Sequence, residues 1–213
     1  MNKFYIFFLS VFLIKFSISV LDVGDVYYLP DPEKEGGMPL NEALNKRKTS
    51  RDFDPSIKLT PQIISQALWN CYGENRPKGY KTTPSAVAWY PLQIYLFLEE
   101  GVFTYEPSNH SITKILEGDY RSMTGKQTEV VTKARANFVL IGDLSKKSSL
   151  GNEDKIKYIY LDSGHCTMGF YLFASSNNMK GVVRAMVDVD PLLKLLGLNK
   201  EDHLFTLSFS LGF

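Results

Sequence analysis

Near the end of the chain, Phe205, Leu207, Phe209 and Leu211 alternate with Thr206, Ser208 and Ser210. A period of two argues for a β-strand with one buried face, because successive strand side chains point to opposite sides. A second strand is expected from Gln93 to Leu98, which is aromatic and β-branched. Val102–Tyr105 and Ile112–Ile115 flank Glu106-Pro107-Ser108-Asn109-His110, the pattern of a β-hairpin. Phe138–Ile141 and Val182–Val187 read as further strands. Helical spacing interrupts them. Leu40, Ala43, Leu44 and Arg47 recur at i, i+3, i+4 and i+7. Thr60-Pro61 opens a helix as N-cap and N1, Ile64, Leu68 and Tyr72 line its face, and Gly73 stops it. Helices are also expected over 120–135, over 156–177 and from Asp190-Pro191 to Gly197. In the long one, Ser163, Gly164, Cys166, Thr167 and Gly169 are small enough for another helix to approach closely. Hairpins and crossovers both occur, so the fold class is α+β: a mainly antiparallel sheet flanked by helices.

The chain has 213 residues and no internal repeat or polar linker after residue 40, which points to one domain over 39–213. A net charge of +1 gives no electrostatic case for nucleic acid or an anionic membrane surface. Residues 1–19 read as a signal peptide: Lys3 is the positive start, Phe4–Ile14 the apolar stretch and Ser17-Ile18-Ser19 the cut site. The expected location is therefore the secretory pathway, extracellular or periplasmic, with no membrane contact once the signal is removed. Residues 20–38, holding Pro30, Pro32, Gly36 and Gly37, read as an extended lead-in over the surface. Asn109-His110-Ser111 is a glycosylation sequon. Cys71 and Cys166 are expected to be two unrelated buried thiols. No Cys/His spacing suggests a metal site. No G-x-G-x-x-G or P-loop pattern is present.

Two stretches carry the chemistry. Arg47-Lys48-Thr49-Ser50-Arg51 packs three cations and two hydroxyls together, a phosphate grip if the backbone gathers it into one pocket. Gly79–Leu92 is rich in turn and small residues and has no fixed charge after Lys81, which suits it to lie against a flat aromatic ligand. Together they suggest a cofactor with a phosphate at one end and a planar ring at the other. No G-x-S-x-G elbow frames Ser85, which argues against a hydrolase. His165 reads as a hydrogen-bonded packing residue with Asp162 on the solvent side. Arg184 stands among Val182, Val183, Ala185 and Met186, where it is either a ligand-facing cation or a solvated strand-edge residue.

The chain resembles the nitroreductase family over about residues 40–213, and within it the SagB-type, azoline-dehydrogenase-like branch. Arg47–Phe53 matches the family's opening R-[RKH]-[ST]-x-[RK]-x-[FY] motif, and Pro84–Leu92 the branch's P-S-A-G-A-L-Y-P-L signature. Tyr105-x-Pro107-x-x-His110, Gly118-Asp119-x-Arg121, Asp162-x-Gly164-His165 and Asp188 onward match later landmarks. The resemblance implies FMN at a homodimer interface and hydride transfer between NAD(P)H, or an organic donor, and an acceptor such as a nitroaromatic or quinone. It implies that Arg47, Lys48, Thr49 and Arg51 hold the phosphate and ribityl chain. It assigns Pro84, Ser85 and Ala86 of a second subunit to the ring or ribityl chain, Gln127 to the ring's vicinity, and the backbone of Val183, Arg184 and Ala185 to the flavin N5. No side chain is expected to act as a catalytic acid or base. Two departures stand out: Val87 replaces the signature's glycine, and no late Lys or Arg precedes Phe213.

Overall fold

A computed structural model describes Ile18 and residues 21–213; apart from Ile18, the expected signal peptide lies outside the described residues. Seven strands form one sheet in the order β1-β6-β5-β4-β7-β9-β8. These are β1 (Val26–Tyr28), β4 (Leu92–Leu98), β5 (Gly101–Glu106), β6 (Ser111–Glu117), β7 (Ala136–Asp143), β8 (Lys180–Arg184) and β9 (His203–Gly212). Every adjacent pair is antiparallel. A small ribbon of β2 (Glu74–Arg76) and β3 (Tyr80–Lys81) lies apart. The helices are α1 (Leu40–Lys46), α2 (Pro61–Tyr72), α3 (Thr128–Lys133), α4 (Asn152–Ser176) and α5 (Val189–Leu195). The expected α+β class therefore holds.

The C-terminal alternation makes β9, but both of its faces are buried. Phe209 and Leu211 join the core shared with α2 and α4. Thr206, Ser208 and Ser210 are also buried and spend their hydroxyls internally, on Leu140 O, Thr124 O and Asn137 Oδ1 respectively. A register shift opposite Leu140/Ile141 sends Phe205 to the other core, with Ile141 and Leu192. The polar half of the pattern thus marks an internal hydrogen-bond layer rather than water.

Several boundaries differ from expectation. The 120–135 helix is two pieces, a 3-10 turn at Arg121–Thr124 and α3, separated by Gly125, Lys126 and Gln127. The long helix begins at Asn152, behind Gly151 as N-cap. The strand expected to reach Val187 ends at Arg184. The last helix begins behind Asp188, with Pro191 inside its first turn. Gly73 does end α2, in extended rather than left-handed geometry.

The α2–α4 crossing is close because Gly169 has no side chain: a Cβ there would lie 2.7 Å from Asn70 O. The same crossing brings Cys166 close enough to act on the Cys71 thiol. Both are free and buried. Burial, then the facing thiol, pushes Cys71 well above the usual thiol range.

Of the expected 20–38 lead-in, the described part from residue 21 on is bound more firmly than a surface segment. β1 adds the outermost strand beside β6. Buried Lys114 donates from Nζ to Leu21 O at 2.8 Å and pairs with Glu117. Ser65 Oγ donates to Pro30 O at 2.5 Å and meets His110 Nε2 at 2.7 Å, while His110 Nδ1 meets Tyr105 OH at 2.9 Å. This latch explains the Tyr105…His110 pattern as structural. Burial holds the His110 pKa below its usual value, outweighing Asp31 and the Pro30 contact. The unfolded chain therefore binds the His110 proton more readily, so its contribution to stability is present above about pH 6.5 and is lost as pH falls below that. We predict that urea midpoints drop between pH 7.5 and 5.5, and drop less in His110→Gln. An equal drop in both proteins would show that His110 does not carry the effect.

Candidate functional site

The basic cluster leaves the end of α1 as an irregular segment laid along the sheet's edge strand. Arg47 caps α1, its N–H bonding Ala43 O at 3.0 Å. Ser50 N–H donates to Gly181 O at 3.0 Å, and Asp54 N–H to Phe213 O at 2.7 Å. Phe53 is the apolar pin, buried with Ala134 and Val182. The segment is thereby fixed against β8 and the end of β9.

Tyr171 of α4 organises what faces it. The Arg47 guanidinium lies over its ring at 5.3 Å, Thr49 Oγ1 meets its hydroxyl at 2.9 Å, and that hydroxyl accepts Val183 N–H at 3.1 Å. Sequence reasoning missed Tyr171. The available signal was a hydroxyl-bearing aromatic on a helix's buried face, which needs a polar partner. Lys48, with Lys46, Ser50, Lys180 and Tyr171 itself, lines an adjoining cavity of about 280 Å³.

Arg184 is the most informative side chain. It is 7% exposed, so it is not a solvated edge residue. Its Nη1 donates to Ser210 Oγ; Ser210 Oγ donates to Asn137 Oδ1; Asn137 Nδ2 donates to Val131 O at 2.8 Å. Gly125 leaves room for it, since a Cβ there would sit 2.9 Å from Arg184 Cδ. Nε and Nη2 are buried with no partner among the described residues. Burial first, and the Arg51 charge second, push its pKa down to about 10. No carboxylate pairs with Arg47, Arg51 or Arg184 among the described residues. The accessible, unpaired Arg47 and Arg51 guanidiniums fit an anionic ligand such as FMN, whereas Arg184 Nε and Nη2 are enclosed by protein. Gln127 is exposed at the head of α3, and its neighbour Lys126 donates N–H to Met186 O at 3.0 Å, which places it next to this strand end. Ala185 is exposed just past β8.

The Pro84–Tyr90 loop is strained. Val87, Ala88 and Tyr90 all have left-handed φ, at 48°, 52° and 49°. The loop is held by Ser85, whose Oγ donates to Asp162 Oδ2 at 2.5 Å and accepts Tyr90 N–H at 2.9 Å. Burial raises the Asp162 pKa, and the Ser85 bond pulls it back. Asp162 is thus inside and His165 outside, the reverse of expectation. Tyr90 N–H and Asp162 occupy the Ser85 hydroxyl within its own chain, while Pro84 faces out and Ala86 is half-buried. Lys81 is drawn in: burial lowers its pKa, and its ammonium lies over the Tyr72 and Tyr90 rings at 5.1 and 5.4 Å. The left-handed φ at Val87 explains why glycine suits this position, since a β-branched residue is strained there. We predict that Val87→Gly, at a largely exposed site, stabilises the protein by ~0.5–1.5 kcal/mol. A lowered thermal midpoint would contradict the strain.

The comparisons agree with this geometry. The family model described as "Nitroreductase family" matches residues 44–213. A Methanocaldococcus jannaschii protein bearing the provisional name nitroreductase is 31% identical over 157 residues, 70% of this chain and 77% of its own. A crystal structure from Ralstonia eutropha, also provisionally named a nitroreductase, superposes with a TM-score of 0.81 at 28% identity, covering 88% of both chains. A Desulfovibrio desulfuricans structure of the same provisional name, solved in complex with FMN, shares the fold at 12% identity, with a TM-score of 0.61 over 83% of this chain and 87% of its own. This chain belongs to the nitroreductase family.

Proposed function

We propose that the protein is an FMN-dependent oxidoreductase that passes hydride from NAD(P)H, or an organic donor, to a nitroaromatic, quinone or similar acceptor. The observation that carries this reading is the Arg47–Thr49 cluster fixed on Tyr171, with no carboxylate paired to Arg47 or Arg51 among the described residues. FMN would supply the hydride chemistry, and the chain would bind and orient it. Arg47 and Thr49, fixed by Tyr171, would hold the phosphate and ribityl chain. Lys48 would add charge from the adjoining cavity that Tyr171 also lines. Arg51 and Arg184 would face the other end of the cofactor. Gln127 would offer its exposed amide to the ring. Val183 N–H is already taken by Tyr171, which leaves the exposed Ala185 as the backbone donor of that stretch.

The site would be completed by a second copy. Ile156, Tyr160, Leu161 and Met168 form an exposed apolar stripe on α4, and a Cβ at Gly164 would meet nothing within 4 Å. The Ser85–Asp162 bond ties the loop that carries the exposed Pro84 and Val87 to the same helix. A homodimer would bury this stripe and bring the partner's loop to the ring. We predict that Leu161→Glu converts a dimer into a monomer by light scattering and lowers FMN retention. A variant that remains dimeric would place the interface elsewhere.

Purified protein tests the assignment. A yellow eluate bleached by NADPH and reoxidised by a nitro compound is expected. Oxidation of azoline rings is a second reading, favoured by the Pro84–Leu92 signature; it predicts a yellow protein bleached by an azoline but not by a nicotinamide. A yellow protein that neither donor bleaches would mark a non-catalytic flavin carrier. Protein that ignores added FMN would overturn every flavin reading. If residues 1–19 direct secretion as proposed, a non-nicotinamide donor gains weight, because NAD(P)H is a cytosolic reductant.

A further inference from the structure

Residues 21–34 lie on the protein with few apolar anchors. Of that stretch only Leu21 and Leu29 are buried. The rest of its hold is hydrogen bonding. At the sheet edge, Gly24 N–H donates to Lys114 O at 2.8 Å, β1 pairs with β6, and Leu29 N–H donates to His110 O at 3.0 Å. Along α2, Gln62 Nε2 donates to Asp31 O at 3.0 Å, and Gln66 exchanges two bonds with the Glu33 backbone. A segment with little buried apolar surface and solvent-facing hydrogen bonds belongs to the low-stability end of a fold, where it can open alone.

His110 stands where both sets of bonds meet. Its own backbone is left-handed, with φ at 49°. The directions of the three bonds around its ring can be worked out. Pro30 O can only accept, so the Ser65 hydroxyl proton points at it. Ser65 Oγ therefore accepts from His110 Nε2–H, and Nδ1 is left as the acceptor of the Tyr105 O–H. The relay runs one way, from Tyr105 through neutral His110 and Ser65 to the backbone of the segment. A second proton on the ring has only Nδ1 to occupy, where it meets the Tyr105 hydroxyl proton head on. Burial pushes the Tyr105 hydroxyl far above the usual phenol range, so it does not give up its proton to make room.

We propose that residues 21–34 form a strap latched by neutral His110, and that a second proton on the ring releases the strap from α2 and from the sheet edge. The ring is the trigger because histidine changes charge between pH 5 and 8. Asp31 on the strap favours the added proton and Lys34 opposes it; β5 presents Tyr105 to the ring, and α2 presents Ser65. Cys71, Glu74 and Glu106 act on Tyr105. Burial outweighs Asp31 and disfavours the charged ring in the latched state. The opened strap thus binds the proton better, and latching is lost as pH falls below about 6.5. Residues 35–39 connect the strap to α1, whose one buried residue is Ala43. The strap is therefore the tether on the N-terminal side of the basic segment.

Hydrogen–deuterium exchange of the full chain tests this at pH 7.5 and 5.0, corrected for the intrinsic pH dependence of exchange. Peptides within 21–34 should exchange faster than those of β4 and β7 at both pH values. Their protection should fall by roughly tenfold or more at pH 5.0, the size set by titrating one histidine 1.5 pH units below its ordinary value. His110→Gln should lose this pH dependence. Tyr105→Phe, which removes the opposing hydroxyl, should show a smaller fall than wild type. Unchanged wild-type protection overturns the proposal. So does an equal fall in His110→Gln, which would place the titrating group elsewhere. A strap protected as strongly as β4 and β7 at both pH values also overturns it, because it would open only with the whole chain. Should His110→Gln fail to fold, Tyr105→Phe decides alone, and a fall equal to wild type counts against the relay.

Discussion

Phe170→Ala is expected to remove about 3–5 kcal/mol of folding stability, the range for emptying a well-packed aromatic site. Phe170 is fully buried on α4. Its ring centroid lies 4.4 Å from Phe138 of β7 and 5.1 Å from Phe209 of β9. One side chain therefore joins the long helix to two central strands. The loss has a transfer part and a cavity part, and each aromatic pair adds ~0.5–1.5 kcal/mol beyond area burial. The cavity cannot close easily, because Gly169 beside it already sets the α2–α4 distance at backbone contact. Phe170→Leu keeps most of the volume and should cost less than half as much. The measurement is a urea titration of the empty protein at neutral pH. A loss under about 1 kcal/mol, with an unchanged slope, would mean that the α4–sheet contact is not the stabilising seam described here. A side effect is expected as well: Tyr171 edges against Phe209 at 4.9 Å, so the variant should loosen the Arg47–Thr49 cluster.

What was legible in the sequence follows from which forces act locally. The β5–β6 hairpin and the Thr60-Pro61 cap were readable because turn chemistry and capping involve neighbouring residues; Thr60 does accept Ile63 N–H. The period of two at Phe205–Leu211 located β9. It could not reveal that Ser208 and Ser210 are buried, because the Thr124, Asn137 and Arg184 groups that satisfy them lie far away in sequence. The basic run at 47–51 was visible as a cluster, but its division was not. Only the edge pairing of Ser50 with Gly181 sets Arg47 and Thr49 in direct contact with Tyr171 and turns Lys48 to the adjoining cavity that Tyr171 also lines. Arg184 was conspicuous as a charge among apolar neighbours, yet its burial depends on Gly125, some sixty residues earlier. The Asp162–His165 inversion is similar: both lie on one helix, and only the Ser85 loop decides which faces inward.

The division within the basic segment leads to the second large expected effect. Arg47→Ala should weaken FMN binding by ~1.5–3 kcal/mol, the usual worth of a hydrogen bond to a charged group. That corresponds to about 10–150-fold in dissociation constant. The direction follows from geometry. Arg47 has no carboxylate to satisfy it, and the Tyr171 ring holds its guanidinium from one side, leaving donors free for an anion. Alanine removes those donors and also a cation–π contact of ~0.5–1 kcal/mol, so the empty protein should lose a little stability too. Measuring both quantities separates the two effects. Lys48→Ala is the internal comparison: it removes the same formal charge one residue away, from a side chain that faces the cavity shared by Lys46, Ser50, Tyr171 and Lys180 and makes no direct contact with the Tyr171 ring or hydroxyl. A direct phosphate contact by Arg47 predicts a large loss for Arg47→Ala and a small, salt-sensitive one for Lys48→Ala, because screening weakens distant charge far more than a hydrogen bond. Equal losses that vanish together at high salt would mean that the segment only supplies a positive field, and that FMN is gripped elsewhere.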